Sequence, residues 1–180
     1  MFRYLSLCLI LVCFLGCQLS GSSPERHDHE VPLDKPSPDE LAGLEKAYFA
    51  SGCFWCVEAI FESVRGVEEV ISGYSGGEIE HPTYEQVSSG RTKHAEAVEV
   101  YYNPEVVTYG TLVKVFFGSH DPTTLNRQGP DRGPQYRSAL FYQNDEEKAV
   151  AEQYIKDLSS AQEYSGKIVT QVVPFTVFWP

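Results

Sequence analysis

The sequence predicts an α/β (in the broader sense α+β) two-layer sandwich with a mixed sheet, and three observations carry that prediction. Strand-like and helix-like periodicities alternate along the chain, the pattern of helices packed on a sheet. A stretch around residues 68–102 reads as antiparallel, so the sheet is not purely parallel. Capping residues mark the helix boundaries: Gly66 and Gly118 at ends, Asn103-Pro104 and Asn144 at starts.

Taken in order, Lys46-Ala-Tyr-Phe-Ala-Ser51 reads as a short strand running into Gly52. After Cys53, apolar residues recur at Val57, Ile60, Phe61, Val64 and Val67, a helical stripe closed by Gly66. Glu58, Glu62, Ser63 and Arg65 fill the opposite face. Residues 94–102 alternate as a strand, with Glu96, Val98, Val100 and Tyr102 on one face. Glu99 and Tyr101 fall on the other face, where Glu99 reads as a surface residue. A helix is expected from Asn103-Pro104, with Tyr109, Leu112, Val113, Phe116 and Phe117 inside and Gly118 at its end. Ser138 to Gln143 reads as a strand, Asn144 caps a helix carrying Val150, Tyr154 and Leu158, and Ile168 to Val177 reads as one final strand. No internal repeat is evident.

The chain has 180 residues, enough for one domain with a substantial core. Its 42% hydrophobic and 22% charged residues are ordinary for a globular protein. A formal net charge of −11 without a basic stripe argues against a nucleic-acid partner.

Residues 1–17 read as an export signal. Arg3 is followed by an apolar run from Leu5 to Gly16, too short to span a bilayer as a helix and suited to a secretory signal. The run ends in Phe14-Leu15-Gly16-Cys17, which resembles a bacterial lipoprotein cleavage box with Cys17 as the lipid attachment site. The alternative is an unlipidated signal peptide cut a few residues later. Either way the protein is expected to be exported to the bacterial cell envelope, facing the periplasm or exterior. Its membrane association would come only through the lipid. Residues 18–45 read as a proline-rich flexible linker, and residues 46–180 as the folded domain.

Cysteine usage narrows the chemistry. Of five cysteines, Cys8 and Cys13 lie in the apolar run and Cys17 in the cleavage box, leaving Cys53 and Cys56 in the domain. Two thiols at this spacing fall short of the four ligands of a structural zinc site, and His81, His94 and His120 stand isolated, so no metal is expected. Redox chemistry is left. Cys53 lies at a strand-to-helix junction, where unpaired amides would lower its pKa from about 8.5 toward neutrality. Cys56 follows by about one helical turn, within reach of an oxidised Cys53.

The aromatic neighbours Phe54 and Trp55 suit a methyl group or a sulfur beside the nucleophile, and methionine sulfoxide offers both. Reaction at that sulfur needs an acid for the departing oxygen. Glu96, at the end of an apolar row, is the candidate, because desolvation favours its protonated form.

These residues resemble the A-type peptide methionine sulfoxide reductases. The resemblance runs from about Phe49 to Pro180 through ordered blocks: Gly52-Cys-Phe-Trp55 with Glu58, Val70-Ile-Ser-Gly-Tyr-Ser-Gly-Gly77, Pro82-Thr-Tyr-Glu-Gln-Val87 and His94-Ala-Glu-Ala97. They continue with His120-Asp-Pro-Thr-Thr124, Asn126-Arg-Gln-Gly129, Asp131-Arg-Gly133 and Gln135-Tyr-Arg-Ser138. It implies a ferredoxin-like arrangement, Cys53 as nucleophile and Glu96 as acid. It also implies that Tyr84 and Tyr136 bind the sulfoxide oxygen, that Phe54 and Trp55 hold the methyl group, and that Asp131 lines the same pocket.

The implied reaction yields methionine and a Cys53 sulfenic acid, which a second thiol converts to a disulfide. No cysteine follows Cys56, so Cys56 is the internal candidate for that step. The reductant would be an external thioredoxin or other dithiol, with no bound cofactor. The expected partners are oxidised proteins or peptides and the thioredoxin-like donor, and the expected state is a monomer. The resemblance further implies the S epimer as substrate. It also implies an acidic, tyrosine- and histidine-containing segment after the position of Pro180, without which part of the pocket would lie uncovered. Two other classes fit less: a general thiol–disulfide oxidoreductase leaves Glu96 without a task, and a module that only binds oxidised peptides needs no thiol pair.

Overall fold

The computed structural model describes residues 41–180, so the expectations for the apolar run, Cys17 and most of the linker lie outside the described residues. The core of the fold is a six-stranded sheet. Strand β1 (Glu45–Ser51) pairs antiparallel with β3 (Ala95–Tyr102) on one side and with β6 (Ser138–Tyr142) on the other. Strand β2 (Val67–Ser75) lies antiparallel to β3, and β7 (Gln171–Pro174) lies parallel to β6. β8 (Phe178–Trp179) closes the far edge against β2, giving the order β7-β6-β1-β3-β2-β8. The mixed sheet expected from the sequence is present.

Three helices pack on one face of the sheet: α1 (Phe54–Glu62), α3 (Tyr109–Gly118) and α4 (Asp145–Ser160). A five-residue helix, α2 (Tyr84–Ser88), sits in the connection between β2 and β3. Phe49 of β1 is the hinge of this layer. Its ring stacks on Phe61 of α1 at 4.8 Å and on Phe116 of α3 at 5.3 Å, so one fully buried side chain ties two helices to the central strand. Truncating such a residue typically costs about 3–5 kcal/mol.

Three expected boundaries move. The helix after Cys53 ends at Glu62 rather than near Gly66, and Val67 belongs to β2. Gly66, at φ +95°, makes the turn between them where a Cβ would strike Val106 and Val107. The helix expected from Asn103 starts instead at Tyr109. Asn103 spends its side chain on the Glu105 N–H in a local turn, and Thr108 supplies the true cap by accepting from the Thr111 N–H. The single strand expected over 168–177 divides into β7 and β8 on opposite edges of the sheet. Pro174, without an N–H, ends the first, and the chain then crosses the sheet's second face.

That crossing overturns the reading of Glu99 as a surface residue. Tyr48 stacks on Phe175 at 3.8 Å, and Glu99 is only 8% exposed beside it. Its carboxyl accepts from Tyr48 (2.7 Å), Tyr101 (2.9 Å) and Lys46 Nζ (3.0 Å), so the buried oxygens are satisfied.

Candidate active site

The site is built at the end of β1. Gly52, at φ +106°, turns the chain from strand to helix, and a Cβ there would come within 2.9 Å of Gln128. Cys53 follows as the extended residue that caps α1. Cys56 stands one turn on with its N–H on the Cys53 carbonyl at 3.1 Å. Both thiols are free, Cys53 half-buried and Cys56 exposed. The Cys56 thiol lies near enough to the Cys53 sulfur to influence its titration.

The N–H groups of Cys56 and Trp55 also point at that sulfur, as a helix start predicts. They do not dominate. Burial is the larger influence and, with the Cys56 thiol beside it, pushes the Cys53 thiol up rather than toward neutrality, correcting the expectation of a lowered value. Cys53 therefore rests as a thiol.

Glu96 is 2% exposed on the helix-covered face of β3, and its Oε2 accepts the Phe54 N–H at 3.2 Å. Desolvation raises its carboxyl above the ordinary value; the Phe54 N–H opposes this, and the negative charge of Asp131 adds to it. A carboxyl whose protonated form is favoured by burial is thus bonded to the residue next to the thiol.

Phe54 is buried while Trp55 is 60% exposed, their rings 5.1 Å apart. Tyr84, first residue of α2, completes an aromatic wall, 6.5 Å from Phe54 and 6.1 Å from Trp55. A reciprocal cap between Thr83 and Gln86 fixes that helix start. On the opposite side the hairpin of β4 (Arg127–Gln128) and β5 (Asp131–Arg132) places Gln128 against Gly52 and leads into a 3-10 turn, Pro134–Tyr136. Burial raises the Tyr136 phenol, and the negative charges of Glu96 and Asp131, with Tyr84, raise it further. Glu96, Asp131, Tyr84 and Tyr136 therefore share one electrostatic neighbourhood beside the thiol helix.

One residue of this neighbourhood escapes the sequence reading. Tyr74 of β2 pairs directly with Glu96, its ring 5.7 Å from Phe54. Alternation through Val70, Ser72 and Tyr74 puts it on a common face, but the strand pairing that brings it to Glu96 is not written in one strand's pattern. The isolated histidines are accounted for by the fold. His94 accepts from the Gly77 N–H through Nδ1 and donates to the Ile79 carbonyl through Nε2. His120 bonds the Phe116 carbonyl and the Ser138 hydroxyl. Among the described residues, no group of three or more His, Cys, Asp or Glu is placed to hold a metal.

A thiol pair at a helix start, beside a buried carboxyl bonded to the Phe54 N–H and walled by aromatics, defines a thiol-dependent oxidoreductase acting on a small, partly apolar, protonatable group. The family model for peptide methionine sulfoxide reductase matches residues 45–180, and the chain belongs to that family. It is 49% identical over 152 residues to peptide methionine sulfoxide reductase MsrA 1 of Rhodopirellula baltica, covering 84% of this chain and 76% of the relative. Among solved structures it is similar to Mxr1 of Saccharomyces cerevisiae in reduced form, at 33% identity and TM-score 0.71 over 81% of this chain and 82% of that one. It is also similar to Mxr1 in complex with Trx2, at 26% identity and TM-score 0.58 over 81% and 84% of the two chains.

Proposed function

We propose that the chain reduces methionine-S-sulfoxide in oxidised proteins or peptides, with Cys53 as nucleophile and Glu96 as acid. The observation that carries this reading is the 3.2 Å bond from the Phe54 N–H to Glu96, which fixes the buried carboxyl beside the thiol. The Cys53 sulfur, once deprotonated, attacks the sulfoxide sulfur while Glu96 gives its proton to the oxygen. The protonated oxygen then passes from the substrate sulfur to the Cys53 sulfur as the S–O bond and the new S–S bond break, so methionine leaves as the thioether, reduced by two electrons, and Cys53 is left oxidised as a sulfenic acid. Tyr84 and Tyr136 orient the oxygen, Phe54 and Trp55 hold the methyl group, and Asp131 helps keep Glu96 protonated. The Cys56 thiol then condenses with the sulfenic acid, releasing water and forming the Cys53–Cys56 disulfide.

A thioredoxin-type dithiol returns the pair to thiols; the yeast relative solved in complex with Trx2 supports a donor of that kind. The test is reduction of a methionine sulfoxide peptide with dithiothreitol: Cys53→Ser is expected to abolish it and Glu96→Gln to slow its first turnover strongly. Full activity in either variant removes the corresponding role.

The finer fold label, ferredoxin-like, belongs to the same reading. It is supported by the inner order β6-β1-β3-β2, with α1 crossing between β1 and β2 and α3 between β3 and β6. Export, with Cys17 lipidated and residues 18–45 as the tether, rests on the apolar run and the cleavage-box resemblance. The sequence's one methionine is Met1, which suits a chain facing oxidants. Mass spectrometry of the mature N-terminus tests this: a diacylglyceryl mass on Cys17 is expected, and an intact Met1 overturns it. Function as a monomer is tested by sedimentation.

A further inference from the structure

A row of three side chains crosses the sheet behind the aromatic wall. Glu96 on β3 pairs with Tyr74 on β2, and Tyr74 pairs in turn with Trp179 on the edge strand β8. Directly paired residues in antiparallel strands present their side chains on the same face, with Cβ atoms about 5 Å apart. Tyr74 is 8% exposed, and Trp179 packs against the same core cluster. β8 is short, but it is pinned: the Ser75 hydroxyl donates to the Val177 carbonyl at 2.8 Å, and the His81 ring lies 4.1 Å from that of Trp179. Gly73 admits the Trp179 carbonyl where any Cβ would collide with it.

Tyr74 therefore touches the site at two points. Its ring stands 5.7 Å from Phe54, whose N–H is bonded to Glu96, and its strand position adjoins Glu96 itself. The phenol senses the carboxyl, because burial raises it first and the Glu96 charge raises it further. The other ionisable groups around Glu96 are Asp131 on β5, Tyr136, Tyr84 on α2 and Cys53 at the head of α1. None of these covers Glu96 from the β2 side.

We propose that Tyr74 is a positioning residue for sulfoxide reduction: its ring, backed by Trp179, keeps water from Glu96 and braces Phe54. The inference rests on the reading of Glu96 as the acid. A buried carboxyl stays protonated only as long as water is excluded, and a flat ring at the paired position excludes it better than a flexible aliphatic chain. The hydroxyl is incidental to this task and the ring is essential.

The test is single-turnover reduction of a methionine-S-sulfoxide peptide by the full chain, followed between pH 5.5 and 9 in the presence of each variant in turn. Glu96→Gln identifies the alkaline limb that belongs to Glu96, because it removes that limb. Tyr74→Leu is expected to move the limb to lower pH by about one unit and to cut the maximal rate about tenfold, with a smaller change in KM. Trp179→Ala, at the sheet edge, is expected to move it in the same direction by less. Tyr74→Phe is expected to keep both limb and rate. A Tyr74→Leu protein whose limb stays in place, however much its rate or melting temperature falls, overturns the proposal. So does a Tyr74→Phe protein as impaired as Tyr74→Leu. Wild-type turnover by Glu96→Gln defeats the acid assignment instead, and this inference with it.

Discussion

Glu96 and Glu99 stand three residues apart on β3, point to opposite faces of the sheet, and are solvated by the protein in opposite ways. Glu99 is met by a lysine and two phenols, a set of donors that suits a carboxylate. Glu96 receives the Phe54 N–H in otherwise apolar and acidic surroundings, which suit a carboxylic acid. The same side chain on the same strand thus meets three donors on one face and a single N–H in a desolvated setting on the other.

For Glu96→Gln, chemistry and stability are expected to move in opposite directions. The first turnover should slow by about 100-fold or more, the usual worth of a positioned acid. The folded-state pKa of Glu96 is raised, so between its unfolded and folded values the native state binds more protons than the unfolded state. Stability therefore falls as pH rises through that window. The neutral amide escapes this cost. Urea unfolding at pH 8 should find Glu96→Gln at least as stable as the wild type, and a clear loss would contradict a raised Glu96 pKa.

For Glu99 the expectation is reversed. Glu99→Ala strips three donors of their acceptor and should destabilise by about 2–4 kcal/mol, while activity per folded molecule is kept. Tyr48→Phe should cost less, about 1 kcal/mol, since two other donors remain on the carboxyl. Equilibrium denaturation together with single-turnover rates separates the two effects.

Much of this was legible along the chain, and the exceptions share a cause. Cys53, the stripe through Val57 and Phe61, and the in-facing side of β3 are local patterns, and each appears in the structure as expected. The thiol's raised pKa was not legible, because the helix start is local whereas the burial around it comes from other elements. The burial of Glu99 was hidden for the same reason: its cover, Phe175, arrives from the far end of the chain after Pro174 ends β7. Tyr74 was missed because its importance lies in a pairing between strands.

Burial holds His120 neutral and lowers its pKa to about 4, with Nδ1 donating to Phe116 and Nε2 accepting from Ser138. Below the unfolded value of 6.5 the unfolded chain takes up a proton that the native one refuses. This group's contribution is therefore intact above about pH 6.5 and is lost as pH falls toward about 4, a change of about 3 kcal/mol. His120→Gln should flatten the acid side of the stability profile measured by urea midpoints between pH 7 and 4. An unchanged slope would show that other groups set it.

Gly52 offers a test of how tightly the thiol helix is tied to the hairpin that carries Asp131. At φ +106° an alanine is strained by about 1–2 kcal/mol, and its Cβ would also press on Gln128 at 2.9 Å. Gln128 cannot yield freely, because its amide accepts from the Asp121 N–H and donates to the Asp121 carbonyl and the Thr124 hydroxyl. The displacement must pass to Cys53 or to the hairpin, and either changes the distance between the thiol and the Asp131–Tyr136 side of the pocket. Gly52→Ala should therefore lower kcat/KM for the sulfoxide peptide by about tenfold or more, while the Cys53–Cys56 disulfide, formed within one helical turn, still closes under mild oxidant. Thiol titration and peptide reduction on the same sample read both. Loss of disulfide formation together with activity would place the damage within α1 rather than between the helix and the hairpin.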